Sequence, residues 1–320
     1  MDISIVIVTR NEAPCIARCV DSVLEELAGM LAEILLVDSA STDGTVDIAM
    51  RYPVRIIRLS PSRTLSPSAG RYVGTLQSTG KLVFFLDGDM VVIKGWLKAA
   101  LEMLKEPDVG AVAGRLYRVR PGEDPGSSRV DGLPGGEVTG LGGAGVYRRT
   151  VLEECGTFNP FLRGEEEREL GYRIGRKGYR ILRIDQPMAY HMDKPRTAQE
   201  VDEKARHFFG VGQVVRAHPL TSLSAEIIRV QSTEFLTGLL VVGWPVGVVL
   251  SLVMGWFIAA VIVLTGVLAA AVGLFIRKGS KGALLFLRGR ILTLWHFAGG
   301  LIAGVQPPER YTFSTIAPGI

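Results

Sequence analysis

The chain has 320 residues, with 36 Lys and Arg against 32 Asp and Glu, 48% hydrophobic and 21% charged side chains, and a mean hydropathy of +0.27. That average is too apolar for one soluble domain and too charged for a bundle of membrane helices, so two physically different regions are expected. Residues 1–234 hold 30 basic and 31 acidic side chains, 235–276 hold neither, and 277–320 hold six and one, so the folded region lacks the basic surface of a nucleic-acid-binding protein and no nucleic acid partner is expected.

From the amino terminus, apolar runs at residues 3–9, 34–38, 54–59 and 82–86 alternate with helical periodicity at 14–30, 44–51 and 66–78. The alternation predicts an α/β domain: a Rossmann-like parallel sheet with helices on both faces, binding ligands beyond the carboxyl ends of its strands. Three polar strand ends should then share one crevice: Thr9-Arg10-Asn11-Glu12, Asp38 through Gly44, and Asp87-Gly88-Asp89. A helix is expected over 95–105, a strand over 109–116, and a Gly- and Pro-rich substrate loop over 121–145. The acidic run Glu165-Glu166-Glu167-Arg168-Glu169 opens a helix ending near 177, and a strand follows over 179–184 with His191 just past it.

Residues 198–234 read as helical and interfacial, after a first domain over 1–197 and before a membrane domain over 235–320. The 42 uncharged residues 235–276 would extend about 60 Å as helix, enough for two crossings of a roughly 30 Å hydrocarbon core. Arg277, Lys278 and Lys281 follow and place that end, and with it the first 234 residues, on the cytoplasmic side of a cell membrane. Residues 283–305 read as a third span, with Arg288 and Arg290 snorkelling to the headgroups, or as an amphipathic or re-entrant segment at the interface, so two to three membrane helices are expected. Cys15, Cys19 and Cys155 lack metal-ligand spacing and are expected as reduced thiols.

Asp87 and Asp89, two carboxylates around one glycine at a strand end, suit a divalent ion carrying a diphosphate, Mn²⁺ or Mg²⁺ for preference; an acidic turn would look the same in isolation. Capping explains Ser41 to Gly44 without a ligand but not Asp38. One carboxylate of the Glu165–Glu169 run suits a general base, and periodicity does not choose which.

Taken in register, these segments resemble the family 2 glycosyltransferases, enzymes of GT-A fold that transfer a sugar from a nucleotide sugar with inversion. Residues 3–12 resemble the opening strand with its T-x-N-E turn, 37–45 the V-D-x-x-S-T-D-G-T segment, 70–74 the A-R-N-x-G helix, 87–89 the D-x-D and 142–149 the acceptor-side glycine segment. The resemblance implies a nucleotide pocket lined by Thr9, Glu12 and Asp38, with Arg71 near the donor. It implies Asp87 and Asp89 on the metal diphosphate, His191 as a further metal ligand, and Glu167 as base with Glu166 beside it. Gln213 and Arg216 resemble a Q-x-x-R-W segment of membrane polysaccharide synthases, although Ala217 stands where Trp is usual. The implied donor is GDP-mannose or UDP-glucose and the implied acceptor a polyprenyl or dolichyl phosphate or a lipid-linked glycan among membrane lipids. The rivals are a processive polysaccharide synthase and a non-catalytic membrane module that binds nucleotide sugar.

Overall fold

The computed structural model describes the chain except residues 1, 28, 62–63, 134, 194–197 and 314–320; the side chains at 198–201, 203–204, 244–246, 248, 257–265, 267–276 and 278 also fall outside the description. The chain forms two units: Met1–Leu162 with Glu166–Pro195 and Gln306–Ile320, and Arg163–Glu165 with Arg196–Val305.

In the first unit, β1 (Ile3–Thr9), β2 (Ala32–Asp38) and β4 (Leu82–Asp87) are buried almost end to end, the pattern of strands covered on both faces. They run parallel in the order β3–β2–β1–β4, with β3 (Arg55–Arg58) at the edge. The register pairs Thr9 with Asp38 and Val8 with Asp87, which brings the three polar strand ends out at one level. α1 (Ile16–Glu26) buries Ile16, Cys19, Val20 and Val23, a stripe at helical spacing. After the short α2 (Thr45–Ala49), α3 (Pro67–Gln77) starts where its sequence says it should: Pro67 opens it, and the Ser66 side chain caps it by accepting from Ala69 N–H at 3.1 Å.

The remaining strands correct the expectation of a parallel sheet. After β5 (Met90–Val92), α4 (Trp96–Met103) and β6 (Val109–Val119), the expected loop contains β7 (Arg129–Val130) and β8 (Gly136–Glu137), followed by β9 (Gly145–Arg148). β9 runs antiparallel to both β4 and β6, so the sheet is mixed. α5 (Arg149–Cys155) and α6 (Glu166–Arg176) lead to β10 (Arg180–Met192), which continues past the expected end at 184. Register shifts around Pro187 absorb a residue that cannot donate to the ladder, and the strand then pairs antiparallel with β5, placing His191 opposite Met90. His191 therefore lies inside a strand, not beyond one. Trp96, Phe84, Phe85 and Phe158 anchor the core, the ring of Phe85 meeting Phe158 edge-on at 5.1 Å.

The second unit consists of α7 (Ala198–Ala217), α8 (Ser222–Val230), α9 (Ser232–Val253) and α10 (Phe257–Ala303), the last kinked at Gly279. Among the described residues no helix is long and apolar enough to cross a membrane. The second expected span falls on 257–276, where almost all side chains lie outside the described residues. The third expected span is corrected: this part of α10 packs against α7, and its arginines find acids within the unit instead of headgroups. Arg288 pairs with Asp202 at 2.7 Å and Arg290 with Glu234. Residues 306–313 rejoin the first unit, so 235–320 is not one body.

Candidate active site

The loops after β1 and β2 interlock through short polar side chains. Asn11 N–H donates to Ser41 Oγ, Thr42 N–H to Asn11 Oδ1 and Glu12 N–H to Thr45 Oγ1, each at 2.8 Å, and Ala13 N–H donates to Asp43 Oδ2 at 3.1 Å. Asn11 and Ala40 hold the left-handed conformation, at φ 56° and 57°, which this mesh maintains. Much of both motifs is therefore occupied in shaping the loops. Asp38 is too: fully buried, it accepts from Ser41 N–H at 3.1 and 3.3 Å and pairs with Arg58 at 3.2 Å. It is not among the residues lining the adjacent cavity, whereas Ser39 is.

That cavity, of about 240 Å³, opens between Thr9, Glu12, Ser39, Ser66, Asp87 and Asp89. Two buried oxygens here have no hydrogen-bond partner, Thr9 Oγ1 and Asp89 Oδ1. Trp96 Nε1 is unmet in the core as well, but the two oxygens differ from it in belonging to residues that line the cavity, where a ligand can meet them. Gly88 is required by the crowding, since a Cβ there would meet Thr9 Oγ1 at 2.7 Å. On the other side of Asp89, His191 Nε2 lies 3.7 Å from Oδ2 while Nδ1 lies 3.1 Å from Asp193 Oδ1. With Nδ1–H donated to Asp193, Nε2 presents a lone pair beside the carboxylate, the arrangement that orients a metal-binding histidine. An unmet carboxylate oxygen and an oriented imidazole fit Mn²⁺ or Mg²⁺, Mn²⁺ taking the nitrogen more readily. Among the described residues no cluster of three His, Cys, Asp or Glu forms a complete metal cage. Asp193 escaped notice in the sequence, although its i+2 spacing from His191 puts the two on one face of a strand.

Arg71 departs from expectation. It does not line the cavity; its buried guanidinium meets Asp87 at 2.9 Å, Glu166 at 2.9 Å and Glu167 at 3.1 Å. Three carboxylates hold its proton far more firmly than usual, against the cost of burial. Arg71 thus joins three of the carboxylates, while Arg10 is the cation that lines the cavity itself. Burial, reinforced by the Asp89 and Glu167 charges and opposed by Arg71, pushes the Asp87 carboxyl up to about 6. Burial first, then the Glu167 charge, raises the Tyr147 phenol, which stays neutral.

The structure also separates the glutamates. Glu169 is engaged by both Nε and Nη2 of Arg173, at 2.9 and 2.7 Å. Glu166 is buried against Arg71, and Glu165, in the second unit, is held at 2.9 Å from His207 Nε2. Glu167 is more exposed; Arg71 and Gly143 N–H, at 3.2 Å, both reach its Oε1, leaving Oε2 open among the described residues. Gly143 is glycine for two reasons: its φ is +73°, and a Cβ would lie 2.7 Å from Asp87 Oδ2.

Gln213 and Arg216 lie in the second unit, engaged with its backbone. Gln213 accepts from Arg163 N–H at 3.2 Å and donates to Gly304 O at 3.0 Å, while Arg216 donates to the last carbonyls of α10 at Leu301 and Ile302.

Residues 4–163 match the model of glycosyl transferase family 2. A curated relative, the glycosyltransferase AglE of Haloferax volcanii, is 26% identical over 173 residues, 53% of this chain and 55% of that protein. The chain spans about half the length of the curated relatives it matches. Two solved structures share the fold: S. aureus TarS 1–349 in complex with UDP-GlcNAc, at TM-score 0.57, 18% identity and 95% and 91% coverage of the two chains, and the Pyrobaculum calidifontis mannosyltransferase PcManGT in complex with GDP-Man and Mn²⁺, at 0.56, 19%, 92% and 87%.

Proposed function

The chain belongs to glycosyl transferase family 2 and is a glycosyltransferase, and from that premise we propose that it transfers a hexose, with mannose from GDP-mannose favoured over glucose from UDP-glucose, to a polyprenyl or dolichyl phosphate or a lipid-linked glycan. The observation that carries the reaction type is the divided carboxylate of Glu167: one oxygen is fixed by Arg71 and Gly143, and the other is open. Oε2 takes the proton from the acceptor hydroxyl as that oxygen attacks the anomeric carbon opposite the departing diphosphate, which gives inversion. Where the acceptor is an ionised phosphate there is no proton to take, and Glu167 only positions.

The nucleotide would bind at the cavity beside Thr9, Glu12, Ser39 and Ser66, a reading supported by the buried Thr9 hydroxyl, which lacks a partner among the described residues. Asp89 and His191, with Asp87 adjacent, would hold Mn²⁺ or Mg²⁺. Bound there, the ion would neutralise charge developing on the diphosphate leaving group. Mannose is supported by the GDP-Man bound in the Pyrobaculum neighbour and opposed by the UDP-GlcNAc bound in TarS.

Attachment to the cytoplasmic face of a membrane is supported by the apolar side chains that α9 leaves exposed, including Leu236, Leu239, Leu240, Val249 and Leu250. Arg277 and Lys281 are exposed on α10 and available to anionic headgroups. An apolar surface of this kind supports an acceptor presented by a lipid.

The test is a donor panel. Purified protein with Mn²⁺ and polyprenyl phosphate should release nucleoside diphosphate from GDP-mannose or UDP-glucose; release from no donor would overturn the reading.

A further inference from the structure

Residues Gln306 to Phe313 rejoin the first unit after the chain has passed through the second. None of the chemistry above uses them, yet Tyr311 is only 6% exposed. Its ring meets Tyr72 edge-on at 6.0 Å and Phe161 at 5.6 Å between centroids, and its hydroxyl donates to Thr64 O at 2.8 Å. Five residues earlier, Gln306 O accepts from Asn159 Nδ2 at 3.0 Å.

Each of these partners belongs to an element that shapes the site. Tyr72 follows Arg71 on α3, the helix whose guanidinium gathers Asp87, Glu166 and Glu167. Thr64 immediately precedes Leu65, Ser66 and Pro67, which line the cavity. Asn159 and Phe161 lie on the segment leading to the glutamates. That segment is already tied to the start of α3, because Ser66 Oγ donates to Pro160 O at 3.3 Å and Ser68 Oγ to Asn159 O at 2.6 Å. The Tyr311 hydroxyl closes this ring of contacts on its open side, at the carbonyl that begins the cavity wall. The Thr64–Ser66 stretch has no regular secondary structure, so its position depends on tertiary anchors of this kind.

We propose that Tyr311 is a positioning residue for the donor pocket, holding the Thr64–Pro67 wall against α3 from the far end of the chain. The proposal rests on the donor site described above. It assigns to the segment after α10 a part in donor binding that nothing in its sequence advertises. The hydroxyl sets the wall through one hydrogen bond, and the ring sets the spacing between Tyr72 and Phe161.

Two variants separate these contributions. Tyr311→Phe keeps the ring packing and loses the bond to Thr64 O; the KM for the donor should rise about threefold to fivefold, with kcat within a factor of two. Tyr311→Ala loses both, and KM should rise on the order of tenfold or more. Backbone amide exchange, followed by mass spectrometry on the full chain, gives a readout that needs no turnover. Peptides covering 66–70 and 159–162, whose amides at Ala69, Gly70, Phe161 and Leu162 are held by Ser66 and Asn159, should exchange faster in both variants, while those covering β1 and β4 keep wild-type protection. If no donor is turned over, the functional reading fails but the exchange measurement still decides this one. Unchanged exchange at 66–70 in Tyr311→Phe, or a uniform rise across β1 and β4, would overturn the positioning role. So would a kcat loss with KM unaltered.

Discussion

Glu33 at one end of the sheet and the Asp87–Asp89 pair at the other are carboxylates in opposite states, while Asp38 beside that pair is satisfied like Glu33. At the amino ends of β1, β2 and β4, Glu33 Oε1 accepts from Ser4 Oγ at 2.6 Å and from both the backbone N–H and the hydroxyl of Thr79, at 2.6 and 2.8 Å, while Ser4 Oγ accepts from Gly80 N–H at 2.7 Å. These donors outweigh the cost of partial burial, and the Glu33 carboxyl lies below its ordinary range. At the carboxyl ends, burial and neighbouring negative charges push Asp87 up, and an oxygen of Asp89 has no partner. Glu33 ties its strand end to the Thr79 backbone, whereas Asp87 and Asp89 line the cavity. The difference lies in how many donors surround each oxygen: Glu33 Oε1 has three, Asp87 Oδ1 has Arg71, and Asp89 Oδ1 has none among the described residues.

The largest effect that would break this contrast is at Asp89. Asp89→Ala should lower Mn²⁺-dependent release of nucleoside diphosphate by about a thousandfold, the scale expected when a preorganised electrostatic contact to a developing charge is lost. The melting temperature should stay within a few degrees of wild type, because no internal hydrogen bond is lost at Oδ1. Activity within tenfold of wild type would mean that the open oxygen serves no ligand. Next comes Glu167→Gln, which should cost about a hundredfold in kcat with donor KM nearly unchanged if the acceptor is a hydroxyl. A loss below tenfold would sharpen the assignment towards an ionised phosphate acceptor.

The contrast also explains what the sequence disclosed. The buried runs of β1, β2 and β4 and the capped start of α3 were legible, because period and capping are local properties. The crevice followed, since parallel strands in register expose their ends together. The role of Arg71 was not legible: its partners Glu166 and Glu167 lie more than ninety residues away, and no local pattern records such a pairing. β5 is three residues long and β10 runs through Pro187, so the pair that carries His191 resembles a turn on paper. The charges of α10 misled for the same reason. Arg288 and Arg290 read as membrane-facing until Asp202 and Glu234 are brought to them by the fold.

At the amino ends, the expected effect concerns stability alone. Glu33→Gln replaces the charged oxygen on which the three donors converge by the weaker, neutral carbonyl of an amide, at a cost of about 1–2 kcal/mol in unfolding free energy. Catalysis per folded molecule should be unchanged, because the site lies at the other end of the strands. A fall in kcat without a fall in stability would collapse the distinction between the two ends.

The smallest effect is the pH dependence of that same stability, and its sign differs between the ends. Glu33 has a folded-state pKa below its ordinary value of 4.5, so its contribution is fully present above that value and is lost as the pH falls through the folded one. Asp87 is raised from 3.8 to about 6, so its contribution is present at low pH and is lost as the pH rises through about 6. In metal-free protein, urea unfolding between pH 3.5 and 7 should therefore show an acid limb that Glu33→Gln flattens below about pH 4.5. It should also show an opposing slope between about pH 4 and 6 that Asp87→Asn flattens. The Asp87 side chain is 30% exposed, so solvent screening keeps its share to the order of 1 kcal/mol. Added Mn²⁺ should erase the second slope and leave the first, since a cation at Asp89 offsets the negative charge that raises Asp87. Two slopes of the same sign would show that donor count does not distinguish the two ends.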